Sequence, residues 1–147
     1  MTLSFDLDGT LNQFYNVPNW LEMLKAEEVT PYLVAKPLFP MITLAKYLNA
    51  IQKAGHKIAV ISWCSKGGTD DYNARVAEAK KAWLREQLPS VHWDRITIVP
   101  YGTPKEFWCE NENDILFDDE ERNRNNWNGK AYTPMEIGYI LRKILGR

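Results

Sequence analysis

Two carboxylates one residue apart, Asp6 and Asp8, are followed at once by Gly9 and Thr10 in the segment Ser4-Phe5-Asp6-Leu7-Asp8-Gly9-Thr10. In an extended chain residues i and i+2 face the same side, so the two acids are expected to share one face at the end of a short β-like run that starts at Thr2. Gly9 lets the backbone turn and come close to a ligand. Carboxylate oxygens suit Mg²⁺, a hard cation, and exposed backbone N–H groups in such a turn suit a phosphate. Alone, Asp-Gly is one of the commonest turn dipeptides, and a strand running into an acidic turn is the simpler reading. Three later segments tip the balance toward chemistry.

Ser62 closes the apolar run Lys57-Ile58-Ala59-Val60-Ile61-Ser62 and leads into Trp63-Cys64-Ser65-Lys66-Gly67-Gly68. A hydroxyl there can hydrogen-bond a phosphate oxygen, because open α/β sheets bind ligands at the carboxyl ends of their strands. A routine strand-to-helix loop would have the same composition. Lys105 follows the run 95–99 in Tyr101-Gly102-Thr103-Pro104-Lys105. Its ammonium can neutralise both a phosphate and an attacking carboxylate, although most lysines are simply solvated. Asp118 stands at the tip of Ile115-Leu116-Phe117, where burying a carboxylate is costly unless it is paired or binds a metal. Asp119 either touches the same ion or supports a residue that does. Glu120 and Glu121 fit the acidic first turn of a helix, favoured by its dipole. Each segment is weak alone; their order along the chain is the strong signal.

These groups must be carried to one place by the elements between them. Strands are predicted at 2–7, 57–62, 95–99 and 114–118, with a short one near 130–132. Residues 39–54 repeat Ile42, Ala45, Leu48 (or Leu44) and Ile51 at helical spacing and close on Gly55. Residues 71–88 form a long helix with Tyr72, Val76, Ala79, Trp83 and Leu88 inward, stopped by Pro89. Thr133-Pro134-Met135-Glu136 is a capping box before a last helix whose stripe is Ile137, Ile140, Leu141 and Ile144. Such alternation predicts an α/β, Rossmann-like three-layer sandwich with a mainly parallel central sheet. The irregular stretch 11–38, with Pro18, Pro31 and Pro37, is expected to be a small insertion over the site within one domain spanning 1–147.

Composition agrees with a packed enzyme-sized domain. A chain of 147 residues with 45% apolar content can bury a core and is not disordered. A net charge of −1 makes no electrostatic case for broad nucleic-acid or membrane binding, though a local basic patch is compatible with it. Cys64 and Cys109 match no zinc or CxxC spacing and are expected to be reduced and mostly buried. With no signal peptide and no long apolar run, a cytoplasmic location is the expectation.

The ordered set Phe5-Asp6-Leu7-Asp8-Gly9-Thr10, Ser62, Lys105 and Asp118-Asp119 resembles the four motifs of the haloacid dehalogenase (HAD) superfamily. The resemblance runs from Thr2 to about Ala131. Ile115 to Asp119, with Asn123, Trp127 and Gly129 behind them, looks most like the 5′(3′)-deoxyribonucleotidase branch, although the 11–38 insertion is shorter than the helical cap usual there. The resemblance implies phosphomonoester hydrolysis. Asp6 would be the nucleophile that becomes an aspartyl-phosphate, and Asp8 the acid for the leaving alcohol and then the base for water. Mg²⁺ would be held by Asp6, the Asp8 backbone carbonyl and Asp118. Ser62, Lys105 and the amides from Leu7 to Thr10, Gly9 included, would hold the phosphoryl oxygens.

A nucleoside monophosphate is the first substrate expected. Phe14, Tyr15, Trp20, Trp63 and Trp108 lie in or near these segments, and a base stacked on an aromatic ring gains roughly 1–3 kcal/mol. Trp63 and Trp20 are the chosen stacking rings, although large aromatics also dominate cores. A small lid leaves a polynucleotide end or a phosphoprotein open as substrate. A signalling receiver would carry an Asp at the end of a middle strand, and none stands there. A non-catalytic module of the same fold does not need both Asp6 and Asp8, and neither does a dehalogenase.

Overall fold

Five short strands, rich in β-branched and aromatic residues, make the centre of the molecule: β1 (Thr2–Phe5), β2 (Lys57–Trp63), β3 (Arg95–Val99), β4 (Ile115–Phe117) and β5 (Lys130–Tyr132). The computed structural model describes residues 1–147. The strands form one sheet in the order β3-β2-β1-β4-β5, and all four pairings are parallel. Phe5 lies beside Val60 on one side and Phe117 on the other. Every strand therefore ends at the same edge. The chain steps outward from β1 through β2 to β3, then returns to the far side of β1 for β4. The reversal leaves a crevice between the ends of β1 and β4, where such sheets place their ligands.

The helices are α1 (Trp20–Lys25), α2 (Thr30–Val34), α3 (Met41–Lys53), α4 (Asp70–Gln87), α5 (Glu121–Asn126) and α6 (Ile137–Ile144). Strand side chains alternate, so Leu3, Phe5, Ile58, Val60, Ile115 and Phe117 join one core with Leu48 and Ile51 of α3, Trp83 and Leu84 of α4, and Ile137 and Leu141 of α6. Phe5 and Phe117 stack at 4.9 Å. The opposite face is smaller: Ile61 and Leu116 pack under Trp127, with Trp108 and Ala131 beside them. Thr69 caps α4 by accepting from Tyr72 N at 3.2 Å, and Pro89 follows its end. A 3-10 turn at Pro134–Glu136 precedes α6, and Thr133 N donates to Glu136 Oε2 at 2.8 Å.

Several local expectations are corrected. β1 stops at Phe5, not residue 7, and β4 covers only Ile115–Phe117, because the chain leaves the extended conformation at Asp6 and at Asp118. Ile42 is 77% exposed; the buried stripe of α3 is Leu44, Leu48 and Ile51. Ile42 and Ala45 fit the same periodicity shifted around the helix, so spacing alone left the face ambiguous. Cys64 and Cys109 are unpaired and half-buried, not buried.

Residues 11–38 hold a 3-10 turn at Phe14–Asn16 followed by α1 and α2. Phe14 and Tyr32 form a separate apolar cluster with Tyr72, Val76 and Ala79 of α4. Polar ties fix the segment further. Tyr72 Oη donates to Glu28 O at 2.8 Å, Trp83 Nε1 to Ala35 O at 2.8 Å, and Thr69 Oγ1 to Glu27 Oε1 at 2.9 Å. No helix is long and apolar enough to cross a membrane.

Candidate active site

The turn after β1 sets the first two acids. Asp6 N donates to Phe117 O at 2.9 Å, the last rung between β1 and β4. Leu7 O then accepts from Thr10 N at 3.1 Å and Leu11 N at 2.9 Å, and Gly9 takes φ +78°, a left-handed conformation that glycine adopts without strain. A Cβ on Gly9 would lie 2.5 Å from Asp119 Oδ2. The loop, not the strand pleat, aims the carboxylates. Asp6 and Asp8 do face one cavity, but they bind different partners.

Asp6 meets Lys105, which the 3-10 turn at Lys105–Trp108 carries into the interior. The ammonium is 1% exposed and donates to Asp6 Oδ1 at 2.9 Å and to Asp118 Oδ2 at 2.7 Å. Trp63 lies against it, the ring centroid 5.3 Å away. Asp118, at the end of β4, also accepts from Glu120 N at 2.9 Å and from Asn123 Nδ2 at 3.2 Å. Carboxylate oxygens of Asp6, Asp118 and Asp119 lie within 4.8 Å of one another.

Three acids and one ammonium cannot all be charged at low cost. Burial would raise the Asp6 carboxyl, but the Lys105 charge, aided by Lys80, more than reverses it and holds Asp6 below the usual range. Burial of Lys105 is likewise outweighed by Asp6 and Asp118, so its pKa is raised. Burial and then the Asp6 charge push Asp118 up to about 6, against the pull of Lys105. The same two causes push Asp119 up to about 8. The cluster is short of positive charge.

Asp8 turns to a group that sequence motifs do not mark. Lys80, on the inward face of α4, donates to Asp8 Oδ2, Ser62 Oγ and Trp63 O, each at 2.7 Å. Asn12 Nδ2 reaches Asp8 Oδ1 at 3.2 Å. A signal was present: Lys80 is four residues after Val76 and three before Trp83, so it falls on the predicted apolar stripe of its helix.

A cavity of about 610 Å³ opens over these groups. Its wall includes Asp6, Asp8, Ser62, Trp63, Lys105, Asp118 and Asp119, with Phe14, Tyr15, Trp20 and Tyr32 from the 11–38 segment. Gly9 and Thr10 do not line it. Thr10 is fully buried and works as a brace: its hydroxyl donates to Asp6 Oδ2 at 2.9 Å and accepts from Asp119 N at 3.2 Å. The Gly9 N–H is used on Asn12 O at 3.1 Å. Trp108 is also away from the cavity, in the small core under the sheet. Trp63 lines the wall but is heavily engaged. Its Nε1 donates to Thr103 O at 2.8 Å, Tyr101 meets it edge-on at 5.0 Å, and Arg122 lies 5.4 Å from its centroid. Trp20 and Tyr15, edge-to-face at 5.2 Å, are the freer rings.

Behind β4, Trp127 Nε1 donates to Asp114 O at 3.1 Å. Gly129 is pressed so close that a Cβ would lie 2.1 Å from the same oxygen. Neither touches the cavity; both hold the strand that presents Asp118.

Neither a family model nor a curated protein matches the sequence. Among solved structures the chain is similar to the D,D-heptose 1,7-bisphosphate phosphatase from Burkholderia thailandensis. The TM-score is 0.56, with 12% identity over 99% of this chain and 99% of that one. At that identity the likeness carries the fold and reaches no branch within it. The chain shares the parallel α/β fold of that structure, and its acidic cluster gathers around Lys105 at the crevice between β1 and β4.

Proposed function

We propose that the protein is a Mg²⁺-dependent phosphomonoester hydrolase. The observation that carries this reading is the meeting of Asp6, Asp118 and Asp119 within 4.8 Å, the first two bridged by the buried Lys105. The donor set is all carboxylate, with no His or Cys, which suits a hard cation. Asp6, Asp118 and Asp119, with the Asp8 carbonyl, would hold Mg²⁺. When bound, the ion neutralises the acids and the charge on the phosphoryl oxygens.

The chain's own groups then divide the work. Asp6, kept ionised, attacks phosphorus; the bond to the leaving oxygen breaks and an aspartyl-phosphate forms. Asp8 gives a proton to that oxygen and later takes one from the water that releases phosphate. Lys105 and the Ser62 hydroxyl stabilise the phosphoryl oxygens. Positioning and charge must supply most of an enhancement that reaches about 10²¹-fold for the slowest monoesters.

For substrate, the reading is a nucleoside monophosphate, supported by Tyr15 and Trp20 on the same cavity wall as the acidic cluster and by the branch resemblance to nucleotidases. A polynucleotide end is the second reading. Lys66 lies 5.8 Å from the Tyr101 ring and Arg122 beside Trp63, and neither is in an ion pair, so both can meet further phosphates. The test is hydrolysis of p-nitrophenyl phosphate, a nucleotide panel and phosphorylated oligonucleotides, with and without Mg²⁺. Asp6→Asn is expected to lower turnover by on the order of 10⁴-fold or more in a folded protein. Full activity in that variant removes the mechanism.

A further inference from the structure

Lys80 is the one buried charge on α4, yet it does not line the cavity. An ammonium has three hydrogens and no lone pair. All three are used, on Asp8 Oδ2, Ser62 Oγ and Trp63 O at 2.7 Å, and the Tyr32 ring centroid lies 5.2 Å from the nitrogen. Nothing is left for a ligand, so any effect on one must pass through the groups Lys80 holds.

Ser62 is where that effect leaves the protein. Its oxygen accepts from Lys80, so the ammonium fixes the direction of one lone pair. The hydroxyl proton goes to no protein acceptor, and Ser62 lies on the cavity wall. A phosphoryl group offers acceptors only, so a hydroxyl already accepting from Lys80 meets it as a donor. The same nitrogen grips Asp8 Oδ2 while Asn12 grips Oδ1, tying the acid of the first loop to the end of β2. We infer that Lys80 is a positioning residue: it orients the Ser62 hydroxyl as a hydrogen-bond donor to a bound phosphoryl group and clamps Asp8 beside it. This inference rests on the reading of the cavity as a phosphate site.

The test is a double-variant cycle on the full chain with saturating MgCl₂, reading inorganic phosphate affinity by calorimetry and melting temperature in parallel. Ser62→Ala and Lys80→Met are each expected to weaken phosphate binding by ~10-fold or more, as loss of a charge-assisted hydrogen bond does. The double variant should bind no more weakly than Lys80→Met alone. A lysine that only supports the fold would lower the melting temperature without this coupling, and additive losses overturn the inference. Should Lys80→Met not fold, the wild type still decides. In ¹⁵N spectra of the lysine ammonium groups, the Lys80 signal should persist with its three bonds when phosphate is added. A Lys80 signal that changes as a direct phosphate contact would shows a ligand instead and sinks the positioning role. Phosphate binding with unaltered affinity in both single variants removes this inference alone. No phosphate binding by wild-type protein with Mg²⁺ removes the site reading and this inference together.

Discussion

Replacing Lys105 with Met removes the only ammonium that touches the carboxylate cluster while keeping an apolar stem of similar length. Asp6 and Asp118, 7% and 0% exposed, would lose partners at 2.9 and 2.7 Å. Removing one member of a buried ion pair typically costs about 3–5 kcal/mol, since the remaining charge stays desolvated. With an unfolding entropy near 2.1 cal/mol/K per residue, that cost is ~10–16 °C in melting temperature for this chain. The loss depends on pH in a definite direction. Without Lys105 the folded pKa values of both acids rise above their unfolded values, so the folded form binds protons that the unfolded chain has released. The penalty is therefore small near pH 4, grows as pH rises, and is largest above the folded pKa values. Added Mg²⁺ should recover part of it by replacing the missing positive charge. The assay is thermal unfolding by circular dichroism at pH 5 and pH 8, with and without MgCl₂. A change below ~2 °C at pH 8 without metal would mean that less than about 1 kcal/mol rests on the pair, and the ion-pair reasoning fails.

Four further outcomes follow from the structure. Asp118 and Asp119, raised to about 6 and about 8, hold protons that the unfolded chain loses near pH 4, so metal-free stability should fall as pH rises from about 4 to about 8. Mg²⁺ at 100-fold over its dissociation constant adds about 2.7 kcal/mol, and the melting-temperature gain should be larger at pH 8 than at pH 5; an equal gain at both contradicts carboxylate ligation. Trp20→Ala should raise KM for nucleotides by ~5-fold or more, the low end of a base-stacking contribution, and leave KM for p-nitrophenyl phosphate unchanged. Gly9→Ala puts a methyl group against Asp119 at φ +78°, so calorimetry should show weaker Mg²⁺ binding; an undisturbed affinity means that Asp119 is not a ligand.

The sequence was most legible where a local rule and the fold agree. Strand boundaries near Lys57 and Arg95, the capped helix after Thr133 and the four strand-end groups all follow from short-range patterns. Asp6, Ser62, Lys105, Asp118 and Asp119 converge because parallel strands must end at one edge. What stayed hidden depends on long-range packing. Thr10 reads as a ligand-facing turn residue, but only the folded chain shows Asp6 and Asp119 on either side of its hydroxyl. Lys80 is polar in an apolar stripe, and its partners lie on two other elements. The engagement of Trp63 by Thr103, Tyr101, Lys105 and Arg122 is likewise invisible along the chain, as is the retreat of Trp108 beneath the sheet.

The central claim is that Asp6 accepts a phosphoryl group beside a divalent ion. Beryllofluoride, which mimics that group on a carboxylate, tests it whichever ester is the substrate. ¹⁹F spectra of the wild-type protein should show bound fluoride resonances only when Mg²⁺ is present, and none in Asp6→Asn. Bound resonances that persist in Asp6→Asn, or that form equally well without the metal, would contradict the account.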